Sequence, residues 1–261
     1  MNNYEKIVGY LEKTKIYNKE LVIPGWFNIN DILCFYLISS LQKINGINGN
    51  ATEIGVHYGK CSIFLSNLYY DKVYSIDLFE DNQSENVSNS GDGNLKIFKS
   101  LLEKYGITEK VSVVVKNSLN LVQGDVEDNT LFHIDGGHSF NEVMSDLNYA
   151  YSTMKKGGVV VLDDAFSFRY PDVSMAVALF LNKNKNVVPF LITAAKIYLC
   201  EVEYFDFYYS LFSNDENLKA FGLSKNKGHA TTFMNNKIVI LSNGENVLFK
   251  NDCNLIKLVE E

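Results

Sequence analysis

The middle of the chain alternates between short apolar runs and longer amphipathic segments. Five runs rich in valine, isoleucine or leucine predict β-strands. They lie at residues 51–56, 73–76, 111–115, 131–134 and 159–162. Apolar residues spaced three and four apart predict helices between and after these strands. The predicted helices lie at residues 60–69, 95–105, 139–155 and 171–182.

The order of these elements predicts the fold class. Two more strands follow the last helix, at 187–192 and 197–202, and a tight turn joins them. A crossover long enough to hold a helix connects parallel strands in the same sheet. We therefore predict an α/β protein with a doubly wound, mostly parallel sheet of seven strands.

The first 50 residues predict a helical segment in front of the sheet. Two helices are expected, at 4–17 and 32–44, where they would cover the sheet. Trp26, the single tryptophan, lies between them, and we expect it to be buried. Residues 1–50 are therefore predicted to be an N-terminal helical lead-in.

The segment 204–261 differs from the alternating part of the chain. It begins with an aromatic-rich helix, and farther on Asn243-Gly244 is a strong signal for a hairpin turn between strands at 237–241 and 246–249. We therefore divide the chain into the lead-in, a sheet domain at 51–203 and this appendage of a helix and a hairpin. The appendage could cap a site or form a dimer interface.

Charge and composition exclude several classes of function. The net charge of -7 argues against non-specific nucleic-acid binding, which needs a basic surface. No apolar run approaches the roughly 18 residues that span a bilayer, and the first residues lack the apolar core of a signal peptide. The 4 cysteines form no CxxC pair, so neither a zinc site nor a disulfide framework is predicted. We expect a cytoplasmic protein, with no nucleic-acid or membrane partner, that could be a homo-oligomer.

Polar residues follow the fourth and fifth predicted strands. Asp135 and His138 come after the fourth strand, and Asp163 and Asp164 come directly after the fifth. The carboxyl ends of parallel strands meet at one edge, so these four side chains should converge where open α/β sheets bind ligands. Three aspartates at one edge would repel one another unless a cation or protons intervened.

The first strand ends in a turn that contains two glycines. Gly55 and Gly59 are separated by three residues and follow Glu53, whereas a dinucleotide-binding turn has the pattern GxGxxG. This spacing favours a ligand without phosphates that still needs a tight backbone turn. Asp77, at the end of the second strand, is suited to accept hydrogen bonds from both hydroxyls of a ribose.

Together these motifs resemble class I S-adenosylmethionine-dependent methyltransferases, which have a Rossmann-like fold. More narrowly, they resemble the branch that contains the macrocin and mycinamicin sugar O-methyltransferases. The resemblance covers about residues 50–203. It rests on Glu53-Ile54-Gly55 with Gly59, Asp77, Asn117-Ser118, Ile134-Asp135-Gly136-Gly137-His138, Asp146-Leu147, Lys156-Gly157-Gly158 and Asp163-Asp164.

The resemblance implies that S-adenosylmethionine is the cofactor. The glycine turn would wrap its methionine part, Asp77 would hold the ribose, and the next two residues would lie against the adenine. Relatives usually carry Ser-Thr where this chain has Cys61-Ser62, so Ser62 or backbone amides would hold the methionine carboxylate. The expected cofactor contacts are Glu53, Gly55, His57, Tyr58, Gly59, Ser62, Asp77, Leu78, Phe79, Asn117, Ser118 and Asp135.

The resemblance also implies a metal site and a general base. Asp135, Asp163 and Asp164 match acidic positions that bind Mg²⁺ in sugar methyltransferases of this kind, and His138 matches their base. We therefore predict Asp135 and His138 as catalytic residues. On the alternative interpretation, Asp163 caps the following turn, Asp164 is a solvated acid, and His138 caps the next helix or is a further ligand.

The chemistry of methyl transfer agrees with these roles. A sugar hydroxyl is a poor nucleophile with a very high pKa. A hard divalent cation held by carboxylates lowers that pKa, and a histidine within hydrogen-bond reach can accept the proton. His133, within a predicted buried strand, is expected to be a core residue instead.

Arg169, the only arginine, follows Asp164 by five residues. Arginine binds carboxylates and phosphates in a bidentate manner that lysine cannot reproduce. Our hypothesis is that Arg169 contacts an acidic or phosphorylated acceptor, such as a nucleotide-linked sugar. The alternative is a surface salt bridge.

We therefore predict a Mg²⁺-dependent O-methyltransferase that acts on a hydroxyl of a sugar or of another sugar-containing small molecule. A catechol-type or N-methyltransferase of a natural product is an alternative enzyme. Another alternative is a methyltransferase fold that only binds or assembles. The intact series Glu53, Gly55, Gly59, Asp77 and Asp135 counts against this last possibility, and the missing GxGxxG counts against a dehydrogenase.

Overall fold

The structure is a computed structural model that describes residues 23–79, 93–221, 223–225 and 231–241. The helices in this part of the chain are α1 (Ile29–Ile44), α2 (Lys60–Ser66), α3 (Leu95–Tyr105), α4 (Phe140–Thr153), α5 (Pro171–Lys183), α6 (Phe205–Ser213) and α7 (Asp215–Ala220). The strands are β1 (Asn50–Ile54), β2 (Val73–Asp77), β3 (Val111–Val115), β4 (Asn129–Ile134), β5 (Met154–Leu162), β6 (Val187–Ile192), β7 (Ile197–Glu201), β8 (Thr232–Phe233), β9 (Asn236–Lys237) and β10 (Val239–Ile240). None of the described helices is both long enough and apolar enough to cross a membrane.

Most of the strands form one twisted sheet. Eight strands lie in the order β10-β6-β7-β5-β4-β1-β2-β3. β7 is antiparallel to both of its neighbours, and the other pairs are parallel. The predicted α/β class and the mostly parallel, doubly wound sheet are confirmed, but the sheet has eight strands rather than the predicted seven.

The additional strand, β10, comes from the C-terminal segment. It pairs in parallel with the end of β6, next to Leu191 and Ile192. The sequence predicted one arm of a hairpin at 237–241, and the other predicted arm, 246–249, lies outside the described residues, as does the predicted helix at 4–17. A strand of two residues shows no alternation, so its pattern could not identify its partner.

The sequence predicted one helix in the aromatic segment after β7, but the structure has a short turn and two helices there. A 3₁₀ turn precedes α6, and Asn214 separates α6 from α7. The side chain of Asn214 accepts hydrogen bonds from the backbone N–H groups of Glu216 and Asn217, at 2.8 and 3.1 Å. Asparagine is a favoured N-cap residue, so the second helix starts here instead of continuing the first.

Helices cover both faces of the sheet. α1, α2, α3 and α6 pack on one face, in a core that includes Phe35, Phe64 and Tyr208. α4 and α5 pack on the other face with Leu147 and Phe180. The apolar sides of these helices therefore bury both faces of the sheet and fix the positions of the strand ends.

The crossover from β4 to β5 starts at a capping box. The Ser139 hydroxyl accepts a hydrogen bond from the N–H of Glu142, and the Glu142 carboxylate accepts one from the N–H of Ser139. This arrangement satisfies two N–H groups at the start of α4. It fixes the direction of the chain directly after His138, at the end of β4.

Candidate active site

A cavity of about 330 Å³ opens at the carboxyl ends of the parallel strands. It lies beside the turns that follow β1 and β4, where the strand order changes direction, and open α/β sheets bind ligands at such a point. The predicted site residues that line it are Glu53, Gly55, His57, Asp77, Leu78, Asn117, Ser118, Asp135, His138 and Asp164. The predicted site residues that do not line it are Tyr58, Gly59, Ser62, Phe79, Asp163 and Arg169.

The two glycines of the first turn allow close contacts that a side chain would block. Gly55 has a φ of +89°, and a Cβ there would lie 2.0 Å from the carbonyl oxygen of Asp135. Gly59 has a φ of +87°, and a Cβ there would lie 2.1 Å from the ring of Phe98. Gly55 therefore brings the β1 and β4 turns together beneath the cavity, while Gly59 packs the start of α2 against α3.

Replacing Gly55 by alanine is expected to destabilise the fold by about 2–4 kcal/mol, because left-handed strain and a backbone clash combine. Gly46 is a matched control, since it has a φ of +73° with no atom within 4 Å of a Cβ. Gly46→Ala should lose only about 1 kcal/mol of stability, because it adds backbone strain without a clash. Denaturant unfolding measures both variants, and equal losses would contradict a steric role for Gly55.

Asp77 joins the first two turns of the site. Its Oδ2 accepts hydrogen bonds from the N–H groups of Val56 and His57, at 2.6 and 2.8 Å. Its Oδ1 accepts one from the N–H of Phe79, at 2.7 Å. The next residue, Leu78, lines the cavity as well. The carboxylate is therefore held in a fixed orientation at the cavity wall.

The expected adenine contacts are only partly in place around the cavity. Leu78, Asn117 and Ser118 line it. Phe79 is fully buried, and its ring stacks on Phe98 with centroids 6.0 Å apart. The backbone at Phe79 is left-handed, with a φ of +50°. Its side chain therefore serves the core beneath α3.

Glu53 lines the cavity and forms a buried pair with Ser62, which does not line it. The Ser62 hydroxyl donates to Glu53 and also lies 2.6 Å from the hydroxyl of Ser75. The other Glu53 oxygen lies 3.2 Å from Nδ1 of His133. Ser62 thus orients Glu53. His133 is buried in β4, as expected, but it also lines the cavity.

His138 is held between an aspartate and an aromatic ring. Its Nε2 lies 3.3 Å from Oδ2 of Asp164, and its ring stacks on Tyr170 with centroids 3.8 Å apart. Nδ1 is buried and has no hydrogen-bond partner among the described residues. Asp135, His138 and Asp164 bring one ligand atom each to within 4.8 Å of one another. These three side chains form the acid–base part of the cavity wall.

Asp163 turns away from Asp164 and into the protein. Its Oδ1 accepts a hydrogen bond from the N–H of Asp164 at 2.8 Å, and its Oδ2 pairs with the ammonium of Lys196. Burial alone would raise the pKa of Asp163, but the Lys196 charge outweighs it and lowers this pKa to about 2. Burial and the charge of Asp163 raise the pKa of Asp135 well above its usual range.

The predicted set of Mg²⁺ ligands therefore does not fit this geometry. Asp163 uses both oxygens within the protein. Its carboxylate lies within 4.8 Å of ligand atoms of Asp135 and His133, but no such group among the described residues contains both Asp163 and Asp164. An ion on the same Asp163 oxygen would lie within roughly 5 Å of the Lys196 ammonium, given metal–oxygen distances of about 2 Å. Each of the two groups that contain Asp135, one with His133 and Asp163 and the other with His138 and Asp164, supplies only two carboxylates and an imidazole, whereas Mg²⁺ prefers oxygen ligands.

Sequence reasoning missed several residues of the site. Lys196 had a signal, because it is a lone charge between two apolar strands. Tyr170 had none. Trp26 was expected to be buried, but it is 90% exposed and lies at the cavity edge. Arg169 is exposed, 5.9 Å from the ring of Phe168, and does not line the cavity.

Comparisons with known proteins agree on the type of domain. Residues 52–165 match a family model described as a methyltransferase domain. The O-methyltransferase NovP has a similar structure, with a TM-score of 0.57 and 16% identity over 67% of this chain and 80% of that chain. Among curated proteins, no sequence matches the chain significantly.

Two further solved structures share the fold. CalS11, a TDP-rhamnose 3'-O-methyltransferase of calicheamicin biosynthesis, has a TM-score of 0.51 and 16% identity over 77% of this chain and 96% of that chain. An O-methyltransferase from Bacillus cereus, in complex with SAH, has a TM-score of 0.51 and 16% identity over 73% of this chain and 89% of that chain. At such identities the likeness shows the fold alone.

Proposed function

We propose that the chain, whose residues 52–165 match a methyltransferase domain, is a class I S-adenosylmethionine-dependent methyltransferase that methylates a hydroxyl group of a sugar or of a sugar-containing small molecule. The observation that carries this proposal is the pairing of His138 with Asp164 at the cavity wall, beside Asp135. A histidine oriented by a carboxylate is suited to remove a proton from a hydroxyl. The sugar methyltransferase CalS11, which shares the fold, supports this choice of acceptor.

The cofactor is proposed to lie across the turns that follow β1, β2 and β3. The turn at Gly55 would hold the methionine part, and Asp77 would accept hydrogen bonds from the ribose. Leu78, Asn117 and Ser118 would surround the adenine. All five residues line the cavity. This placement leaves the wall formed by Asp135, His138 and Asp164 for the acceptor.

The reaction is an in-line displacement at the methyl carbon of the sulfonium. When bound, S-adenosylmethionine would supply its methyl group, which the hydroxyl oxygen would take as the carbon–sulfur bond breaks and S-adenosylhomocysteine is released. Nδ1 of His138, which has no partner among the described residues, takes the proton of the hydroxyl, and Asp164 at Nε2 stabilises the imidazolium that forms. Tyr170, stacked on the ring, fixes its orientation. The residues therefore supply positioning and proton removal.

The sequence predicted magnesium dependence, and the pairing of Asp163 with Lys196 argues against it. The proposed reaction includes no step at a metal ion, because Asp163 pairs with Lys196 and no group of possible ligands among the described residues contains both Asp163 and Asp164. The predicted contact of Arg169 with an acidic acceptor stays a prediction.

The acceptor class is tested by product formation. The full chain is incubated with S-adenosylmethionine and with either TDP-linked sugars or catechols, and release of S-adenosylhomocysteine is measured. We expect release with a sugar nucleotide. Release with catechols alone would overturn the proposed acceptor, and the absence of S-adenosylmethionine binding would overturn the proposed function as a whole.

Replacing Asp77 by asparagine is expected to weaken S-adenosylmethionine binding about 10–100-fold, because charge-assisted hydrogen bonds contribute roughly 1.5–3 kcal/mol. Calorimetry measures the affinity, and thermal melting without cofactor separates lost binding from lost stability. Asp125→Asn is the control, since Asp125 does not line the cavity. Equal affinities for both variants would contradict the placement of the ribose at Asp77.

A further inference from the structure

A lysine lies buried behind the acidic wall of the cavity. Lys196 follows the turn between β6 and β7, and its side chain is 2% exposed. The turn fixes its backbone: Lys196 donates its N–H to the Thr193 hydroxyl at 3.2 Å and accepts the N–H of Thr193 at 2.9 Å. A buried ammonium is stable only when it is paired.

Three carboxylates surround this ammonium. Asp163 contacts it directly, and Asp135 and Asp31 interact with it electrostatically. Asp31, at the start of α1, accepts hydrogen bonds from the hydroxyls of Thr193 and Tyr198, at 2.7 Å each. Lys196 therefore neutralises a buried acidic cluster that includes two of the three aspartates predicted to bind Mg²⁺.

We propose that the ammonium of Lys196 takes the place of a divalent cation at Asp163, so that this chain binds no Mg²⁺ there and transfers methyl groups without it. One Asp163 oxygen is paired with this ammonium, and the other accepts the N–H of Asp164. Asp163 is also absent from the cavity wall, where an ion would have to meet the acceptor. The positive charge of the ammonium would repel a second cation at this short distance.

This inference rests on the proposed function. It assigns the two roles of a metal ion, charge compensation and activation of the hydroxyl, to two different sets of residues. Lys196 compensates the negative charge of the acidic cluster, and it does not line the cavity. His138 and Asp164 remove the proton of the acceptor. Lys196 is therefore a positioning residue, and its exclusion of a metal ion can be measured without any acceptor.

The test is Mn²⁺ binding to the full chain after treatment with a chelator, followed by electron paramagnetic resonance and by calorimetry. For the wild type we expect no binding up to about 1 mM Mn²⁺, which is weak for a carboxylate site. We expect Lys196→Met to bind Mn²⁺ at least about tenfold more tightly than the wild type, and Mn²⁺ to raise its melting temperature. Lys196→Arg keeps the charge and should exclude Mn²⁺ as the wild type does.

Two results would overturn the inference. One is wild-type Mn²⁺ binding that Asp163→Asn abolishes, and this arm decides the question even if the methionine variant does not fold. The other is a folded methionine variant that gains no affinity for Mn²⁺. Because neither measurement involves S-adenosylmethionine, a failure here is distinct from a failure of the proposed function, which cofactor calorimetry would reveal.

Discussion

Replacing His138 by glutamine is expected to lower kcat for methyl transfer by about 10²–10⁴-fold, the usual contribution of a general base. Glutamine keeps a polar side chain at the cavity wall but cannot accept the proton of the hydroxyl. The affinity for S-adenosylmethionine should change by less than about threefold, because the cofactor is proposed to lie on the β1, β2 and β3 turns. Kinetics with the best acceptor of the wild type, together with cofactor calorimetry, separate the two quantities.

Two companion variants identify the role of the base. Asp164→Asn should lower kcat less than loss of the imidazole does, because it removes only the partner that orients His138 at 3.3 Å. His138→Ala leaves space between Asp164 and Tyr170, and added imidazole should restore part of its activity. A glutamine variant with kcat within about threefold of the wild type would show that another group removes the proton.

Much of the sheet could be predicted because its physical cause is local. Buried parallel strands require continuous apolar runs, and a helix between two such runs fixes their relative direction. These two rules place the ends of β4 and β5 side by side, and therefore bring Asp135, His138 and Asp164 to one cavity. Topology alone was therefore enough to predict which edge of the sheet carries the site.

The direction of individual side chains at that edge could not be predicted in the same way. Asp163 and Asp164 are neighbours, yet one meets Lys196 inside the protein and the other meets His138 at the cavity. The backbone of Asp164 is left-handed, with a φ of +53°, so the alternation of the strand no longer applies there. The partner of Asp163 lies 33 residues farther along the chain. The sequence shows how many carboxylates follow the strands. Which of them is buried in the core and which lines the cavity depends on tertiary packing.

Contacts of the first turn show the same limit. The pattern from Glu53 to Gly59 correctly indicated a tight turn with two special glycines. It did not show that the Ser62 hydroxyl would contact Glu53 and Ser75 instead of lining the cavity. Position in a motif identifies the element that a residue belongs to, while its hydrogen-bond partners depend on neighbouring strands that are distant in sequence.

Replacing Asp146 by asparagine is expected to stabilise the protein, by about 4 kcal/mol near pH 8 and by almost nothing near pH 4. Asp146 lies on α4 and is fully buried. Burial raises its pKa from 3.8 to about 7, and the nearby Ser118 hydroxyl offsets burial only in part. A shift of about three pKa units corresponds to roughly 4 kcal/mol.

The sign of this effect follows from proton binding. Between about pH 4 and pH 7 the folded protein keeps the Asp146 proton that the unfolded chain has lost, so the stability of the wild type falls as the pH rises. Below this range both states are protonated, and asparagine gains nothing. Above it, the wild type carries a buried charge that asparagine lacks. Urea unfolding of both proteins across this range measures the difference.

Asp125 provides a control of opposite sign. A hydrogen bond from Lys116 at 2.6 Å, and another from the N–H of Val122, lower the pKa of Asp125. Its charge therefore stabilises the fold above the ordinary pKa of an aspartate, and that stability is lost in acid. Asp125→Asn should be less stable than the wild type near neutral pH and equal to it in strong acid. If Asp146→Asn were instead equally stabilising near pH 4 and near pH 8, the gain would come from packing, because a buried charge acts only where the carboxylate is ionised.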